Sequence, residues 1–137
     1  MNQKILNRCV EFARALKPDV KYGKSHHVSF AIYKSKIICI GQNDYTKLHP
    51  HHKYGKYENY AKEYASEYKP CIHSEVSLAI RLGEDNWRDY EIVNVRVGND
   101  GKVRSSKPCL NCENLIIKAL KPKRLFYSDD NENFHEL

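Results

Sequence analysis

The spacing of apolar side chains changes along this 137-residue chain, and the order of those changes restricts the fold more than any other feature. Ile5, Leu6, Cys9, Val10, Phe12, Ala13 and Leu16 recur at helical intervals until Pro18, so an amphipathic helix is expected over residues ~3–17. Two β-rich runs follow, His27–Tyr33 and Lys36–Gly41, and a gap of only Lys34-Ser35 predicts an antiparallel hairpin. Within the second run, Ile37-Ile38-Cys39-Ile40 is apolar on both faces, as in a central strand. Beyond residue 70 the periods alternate. A helix from about His73 to Leu82, closed by Gly83, precedes a strand Glu91–Val97 that sets Val93, Val95 and Val97 on one face. After a turn at Gly98-Asn99-Asp100-Gly101 come a helix from about Cys109 to Leu120, stopped before Pro122, and a strand Arg124–Ser128. Helices interleaved with strands imply an α/β fold of three α/β/α layers around a mixed sheet of four to five strands.

The length fits a single domain over residues 1–137, and with 41% hydrophobic and 29% charged residues the chain is neither low-complexity nor disordered by composition. No apolar run approaches the ~18 residues of a membrane span, and Met1-Asn2-Gln3-Lys4 opens a mixed segment without a secretory core. Five cysteines cannot all pair within one chain, which points to a reducing, cytoplasmic setting with metal-binding or catalytic thiols. Cys9 and Cys39 lie on apolar faces and are expected to pack as small hydrophobes. Four acidic side chains and no Lys or Arg fall in residues 129–137. Over residues 1–128, 23 basic side chains face 13 acidic ones, a net +10 that favours anionic partners such as nucleotides or polynucleotides.

An insert at 43–70 holds six of the ten tyrosines. Tyr57, Tyr60, Tyr64 and Tyr68 share one face of an expected helix, which either packs on the domain or stacks bases. His49, His51 and His52 fall in a lysine-rich stretch that reads as solvated or phosphate-facing.

Two segments carry reactive chemistry: Cys71-Ile72-His73-Ser74-Glu75 and Pro108-Cys109-Leu110-Asn111-Cys112, each feeding the start of an expected helix. Cys109 and Cys112, three apart, present both sulfurs to one side of a first helical turn, where the helix dipole favours thiolates. His73 adds an imidazole. Two thiolates and an imidazole leave a tetrahedral Zn²⁺ one position for water, and zinc lowers the pKa of water from about 15.7 toward about 7. Glu75, two residues past His73, is placed to move protons rather than to ligate. Cys71 offers an alternative, a closed Cys71, His73, Cys109, Cys112 site that is purely structural.

His73-Ser74-Glu75 followed, after 32 intervening residues, by Pro108-Cys109-x-x-Cys112 resembles the signature of the zinc-dependent nucleobase deaminases, the cytidine and deoxycytidylate deaminase superfamily. The expected element order is similar too, from the first helix to Ser128. The resemblance implies hydrolytic deamination of a base, cytosine ahead of adenine, in a nucleotide or a single-stranded nucleic acid. It implies Zn²⁺ held by His73, Cys109 and Cys112, with Glu75 as the proton carrier. It also implies substrate contacts at Asn43, which ends Gly41-Gln42-Asn43, at Ser74 and at Pro108, and assembly as a homo-oligomer, while the absence of a long apolar run argues for no membrane partner. It speaks against the closed Cys71 site, which has no use for Glu75. The sequence departs from the family in three places. Ser74 stands where alanine is commoner. Only nine residues follow Ser128, leaving the last strand missing or a short return through Phe134 to Leu137. The insert is long for a free-nucleoside enzyme and joins Asn43 to His73, so it is expected to border the pocket. A competing function is a non-catalytic, zinc-stabilised module whose Tyr/Lys insert grips single strands.

Overall fold

The computed structural model describes residues 1–16, 26–43, 73–83, 86–98 and 100–137. The insert beyond Asn43, with its tyrosine stripe and histidine cluster, and Cys71 lie outside the described residues. The described residues form, in order, α1 (Gln3–Leu16), β1 (His26–Tyr33), β2 (Lys36–Gln42), α2 (Ser74–Leu82), β3 (Glu91–Val97), β4 (Val103–Arg104), α3 (Leu110–Glu113), its π-helical continuation (Asn114–Leu120), β5 (Arg124–Ser128) and β6 (Phe134–Glu136).

The strands form one mixed sheet in the order β2-β1-β3-β5-β6, with β4 paired to the end of β3. β1 and β2 make the expected antiparallel hairpin, turned by Lys34 and Ser35, both at positive φ (48° and 64°). β1 also pairs antiparallel with β3, and β3 runs parallel to β5. The mixed three-layer architecture is therefore as expected from the periodicity, with β2 at the sheet's edge although its doubly apolar run suggested a central strand, and with six strands among the described residues where four to five are expected. Both additions are short. β4 spans two residues, too few to leave a periodic signal. β6 is the return through Phe134, fixed by Asp129, whose carboxylate accepts from the Asn131 and Asn133 amides at 2.8 and 2.9 Å.

Each face of the sheet has its own core. Leu6, Cys9 and Ala13 of α1, at i, i+3 and i+7, rest on Val28, Phe30, Val93 and Val95. Phe12 and Leu16, also part of the apolar helical pattern, remain exposed. On the other face, Val76 and Leu78 of α2 and Leu115, Ile116 and Leu120 of the π-helical segment close over Ala31, Ile92 and Leu125. The segment from Cys109 to Leu120 was expected as one α-helix. Its second half is wound wider, with the Lys121 amide bonded five residues back to the Ile116 carbonyl at 2.7 Å. That winding turns Leu115, Ile116 and Leu120 inward and leaves Ile117 to Ala119 outside. Gly83 ends α2 as expected, in the left-handed region (φ 69°), its amide donating to the Ala79 carbonyl at 3.0 Å. Among the described residues, no helix is long and apolar enough to cross a membrane.

α2 lies directly on β2 because Gly41 has no side chain. A Cβ there would stand 2.3 Å from the Leu78 nitrogen and 2.5 Å from the Ser74 carbonyl oxygen, both backbone atoms that no rotamer change can move. Gly41→Ala should therefore lift the start of α2 from the sheet. Overpacking of this kind costs about 1–3 kcal/mol, enough to lower the thermal midpoint by roughly 5–10 °C. A midpoint unchanged in thermal circular dichroism would contradict this packing.

Candidate active site

His73 is extended (φ −76°, ψ 151°) at the entry to α2, Cys109 precedes α3 and Cys112 lies within it, so two helix starts on one face of the sheet bring their side chains together. His73 Nδ1 lies 3.6 Å from Cys109 Sγ and 3.4 Å from Cys112 Sγ. Among the described residues these three form the one group of potential metal ligands, with all ligand atoms within 4.8 Å of one another. Their spacing fits a tetrahedral ion. With metal–sulfur and metal–nitrogen bonds of about 2.3 and 2.0–2.1 Å, the nitrogen–sulfur edge of a tetrahedron is about 3.5 Å. The donors stand at that distance without rearrangement.

Among the described residues, Cys9 and Cys39 differ in kind from Cys109. Burial pushes Cys9 up to about 12 and raises Cys39, as suits packing groups. Hydrogen bonding with Cys112, helped by His73, instead brings Cys109 down to about 4, into the thiolate form that a metal requires.

Beside this cluster lies a cavity of about 160 Å³, lined by His27, Asn43, His73, Ser74, Glu75, Asn94, Val95, Ser106, Lys107 and Cys109. Of the residues picked out in the sequence, the fold thus brings His73, Glu75, Cys109, Asn43 and Ser74 to one cavity, with Cys112 buried behind them. Pro108 is buried and is not among the lining residues. Asn43 prolongs the β1–β2 pairing: its amide donates to the His27 carbonyl at 3.1 Å, and its Oδ1 accepts from the His27 amide at 3.0 Å.

Glu75 is buried in the first turn of α2, and desolvation raises its carboxyl above the ordinary range. It belongs to a polar ring. Ser74 Oγ lies 2.9 Å from Glu75 Oε1, Ser29 Oγ lies 2.9 Å from Ser74 Oγ and 2.7 Å from Asn94 Oδ1, and Asn94 Nδ2 donates to Glu75 Oε2 at 3.4 Å.

Sequence reasoning missed Ser29, Asn94 and His27. The first two had a signal, since a polar side chain inside an otherwise apolar central strand is the informative exception. His27 had none.

Neither a family model nor a curated protein sequence matches this chain. Solved structures do. A cytidine deaminase from Burkholderia pseudomallei superposes with a TM-score of 0.61 at 13% identity, over 100% of this chain and 92% of that one. A cytidine deaminase from Mycobacterium leprae gives 0.53 at 14% identity, over 99% and 93%. The chain has a cytidine deaminase-like fold. Within that fold the His73, Cys109, Cys112 group sits where α2 and α3 begin, and Glu75 opens on the adjoining cavity.

Burial, reinforced by the charges of Arg96, His73 and His26, lowers His27 from 6.5 to about 4. The folded protein then keeps this ring neutral while the unfolded chain protonates it, so its contribution to stability is lost as the pH falls from 6.5 towards 4. Glu75 runs the other way, its raised carboxyl favouring the folded state at low pH, and a comparison of variants separates the two. Between these pH values His27→Gln should lose stability less steeply than the parent, by at most roughly 1.4 kcal/mol per pH unit. Urea unfolding across a pH series checks this, and parallel curves would refute it.

Proposed function

We propose that this chain is a zinc-dependent hydrolytic deaminase of a nucleobase, cytosine ahead of adenine, carried on a nucleotide or in single-stranded nucleic acid. The observation that carries this reading is a buried carboxyl, Glu75, opening on the same cavity as two members of a His/Cys/Cys group of tetrahedral dimensions. A purely structural metal site has no need of such a group, and this favours an enzyme over a non-catalytic binding module. The fold it shares with cytidine deaminases supports the same conclusion.

His73, Cys109 and Cys112 would hold the ion, which when bound supplies Lewis acidity that makes water nucleophilic at neutral pH. Glu75 takes a proton from the attacking water and delivers it to the ring nitrogen of the base. A C–O bond forms at C4 of cytosine, or C6 of adenine, and the C–N bond to the exocyclic nitrogen breaks. Protons relayed through the same carboxyl leave with that nitrogen as ammonia. Ser74 offers its backbone N–H to the base. Asn43 takes the sugar side of the cavity, and Pro108 sets the entry to Cys109. Lys107 on the cavity wall and the net +10 of residues 1–128 favour a substrate bearing phosphate. The enzyme is expected to work as a homo-oligomer.

A panel of nucleosides, nucleotides and single-stranded DNA and RNA, followed by mass spectrometry for a gain of about 1 Da, tests the reaction and its substrate class. Glu75→Ala should keep zinc and fold while turnover falls by at least roughly 100-fold. Turnover within a few-fold of the parent would remove Glu75 from the mechanism. Cys109→Ala and Cys112→Ala should lose both metal and stability, since structural-type zinc binding contributes on the order of 10 kcal/mol to folding. Elemental analysis beside thermal unfolding reads the two together, and zinc retained in both variants would disprove the ligand assignment.

A further inference from the structure

We propose that Ser29 and Asn94 are positioning residues for Glu75: from two central strands they hold its carboxyl group in the orientation that proton transfer requires. The inference rests on the reading of Glu75 as proton carrier.

Ser29 and Asn94 are direct partners across β1 and β3, and both are fully or almost fully buried. Two residues along the same face stands the pair Ala31 and Ile92, the apolar pairing that a buried sheet face ordinarily carries. Replacing such a pair by a hydroxyl and a carboxamide costs desolvation unless both find partners. The partner they find is the first turn of α2. Through Ser74, Ser29 reaches Glu75 Oε1 (2.9 Å for each step), and Asn94 Nδ2 lies 3.4 Å from Glu75 Oε2. Ser29 also lies 2.7 Å from Asn94 Oδ1, so the ring closes.

A carboxyl gripped at both oxygens cannot swing about its last torsion. Its direction is then referenced to β1 and β3, the rigid centre of the sheet, as well as to the helix that bears it. Asn94 reaches the cavity too and shares its wall with Glu75, His73 and Cys109. Gly41 pairs with Ser29 on its other side, and the close approach of α2 at that glycine brings Ser74 within reach.

The test uses the zinc-loaded full chain. Ser29→Ala removes a single oxygen, and Asn94→Ala breaks the ring at a second point if the first variant folds poorly. Each should lower kcat by roughly 10- to 100-fold and leave KM within about threefold, with zinc content unchanged. In a Glu75→Gln background, Ser29→Ala should cost nothing further, because its effect passes through the carboxyl. Unchanged kcat, loss of zinc, kcat and KM worsening together, or full additivity with Glu75→Gln would each overturn the proposal. A parent that deaminates no substrate in the panel would instead fail the functional reading. Crystal structures of the two variants then decide the positioning role alone: a displaced Glu75 carboxyl sustains it, and an unmoved one overturns it.

Discussion

Backbone-to-backbone contact between α2 and β2 sets the depth of everything on the polar face of the sheet. Where Gly41 meets Leu78 and Ser74 there is no side chain to hold helix and strand apart. Ser74 can then reach Ser29, Glu75 comes under the same roof as Asn94, and His73 at the head of α2 meets the two cysteines of α3. A helix seated farther out would bury the same apolar side chains less well and leave the polar ones without each other. The packing of one layer and the chemistry of the cavity are thus consequences of one contact.

The opposite face does no such work. Its core is aliphatic and aromatic, contributed by α1 and by alternate residues of β1 and β3, and its cysteine, Cys9, is pushed up to about 12 by burial alone. The face of the sheet does not by itself decide a thiol's fate, since Cys39, packed on the same side as Cys109, is raised by burial too. Only neighbours that stabilise the thiolate, as Cys112 and His73 do for Cys109, turn a buried cysteine into a candidate ligand.

What the sequence made legible follows from the range of each signal. The hairpin, α1 and the strand-helix alternation rest on local periodicity, and the His73, Glu75, Cys109 and Cys112 constellation on residue types at short spacing, so both could be read directly. β4 could not, because its two residues carry no period even though they pair with the neighbouring β3, and three-residue β6 was legible only as one of two alternatives, a short return through Phe134. Trp87, wholly buried with its amide donating to the Leu120 carbonyl, gave no sign of its place in the core. Asn94 was overlooked because its flanking valines advertised a hydrophobic strand, and its purpose lies in β1 and α2, not in its own neighbours. The π-helical winding of 114–120 likewise answers to tertiary packing that local propensity does not encode.

That winding also fixes the length of the segment. One end of the Cys109–Leu120 stretch is tied to the His73 cluster, and the other hands the chain to β5 through Lys121 in the left-handed region (φ 52°). An α-helix advances by about 100° per residue. If one residue were lost and the coil tightened to the α form, either the two sulfurs would swing away from the imidazole or Leu125 would leave its place beside Ile92. Loss or gain of one residue within the stretch is therefore felt at both the cysteine pair and β5, whereas exchange of the outward-facing residues 117–119 disturbs neither end.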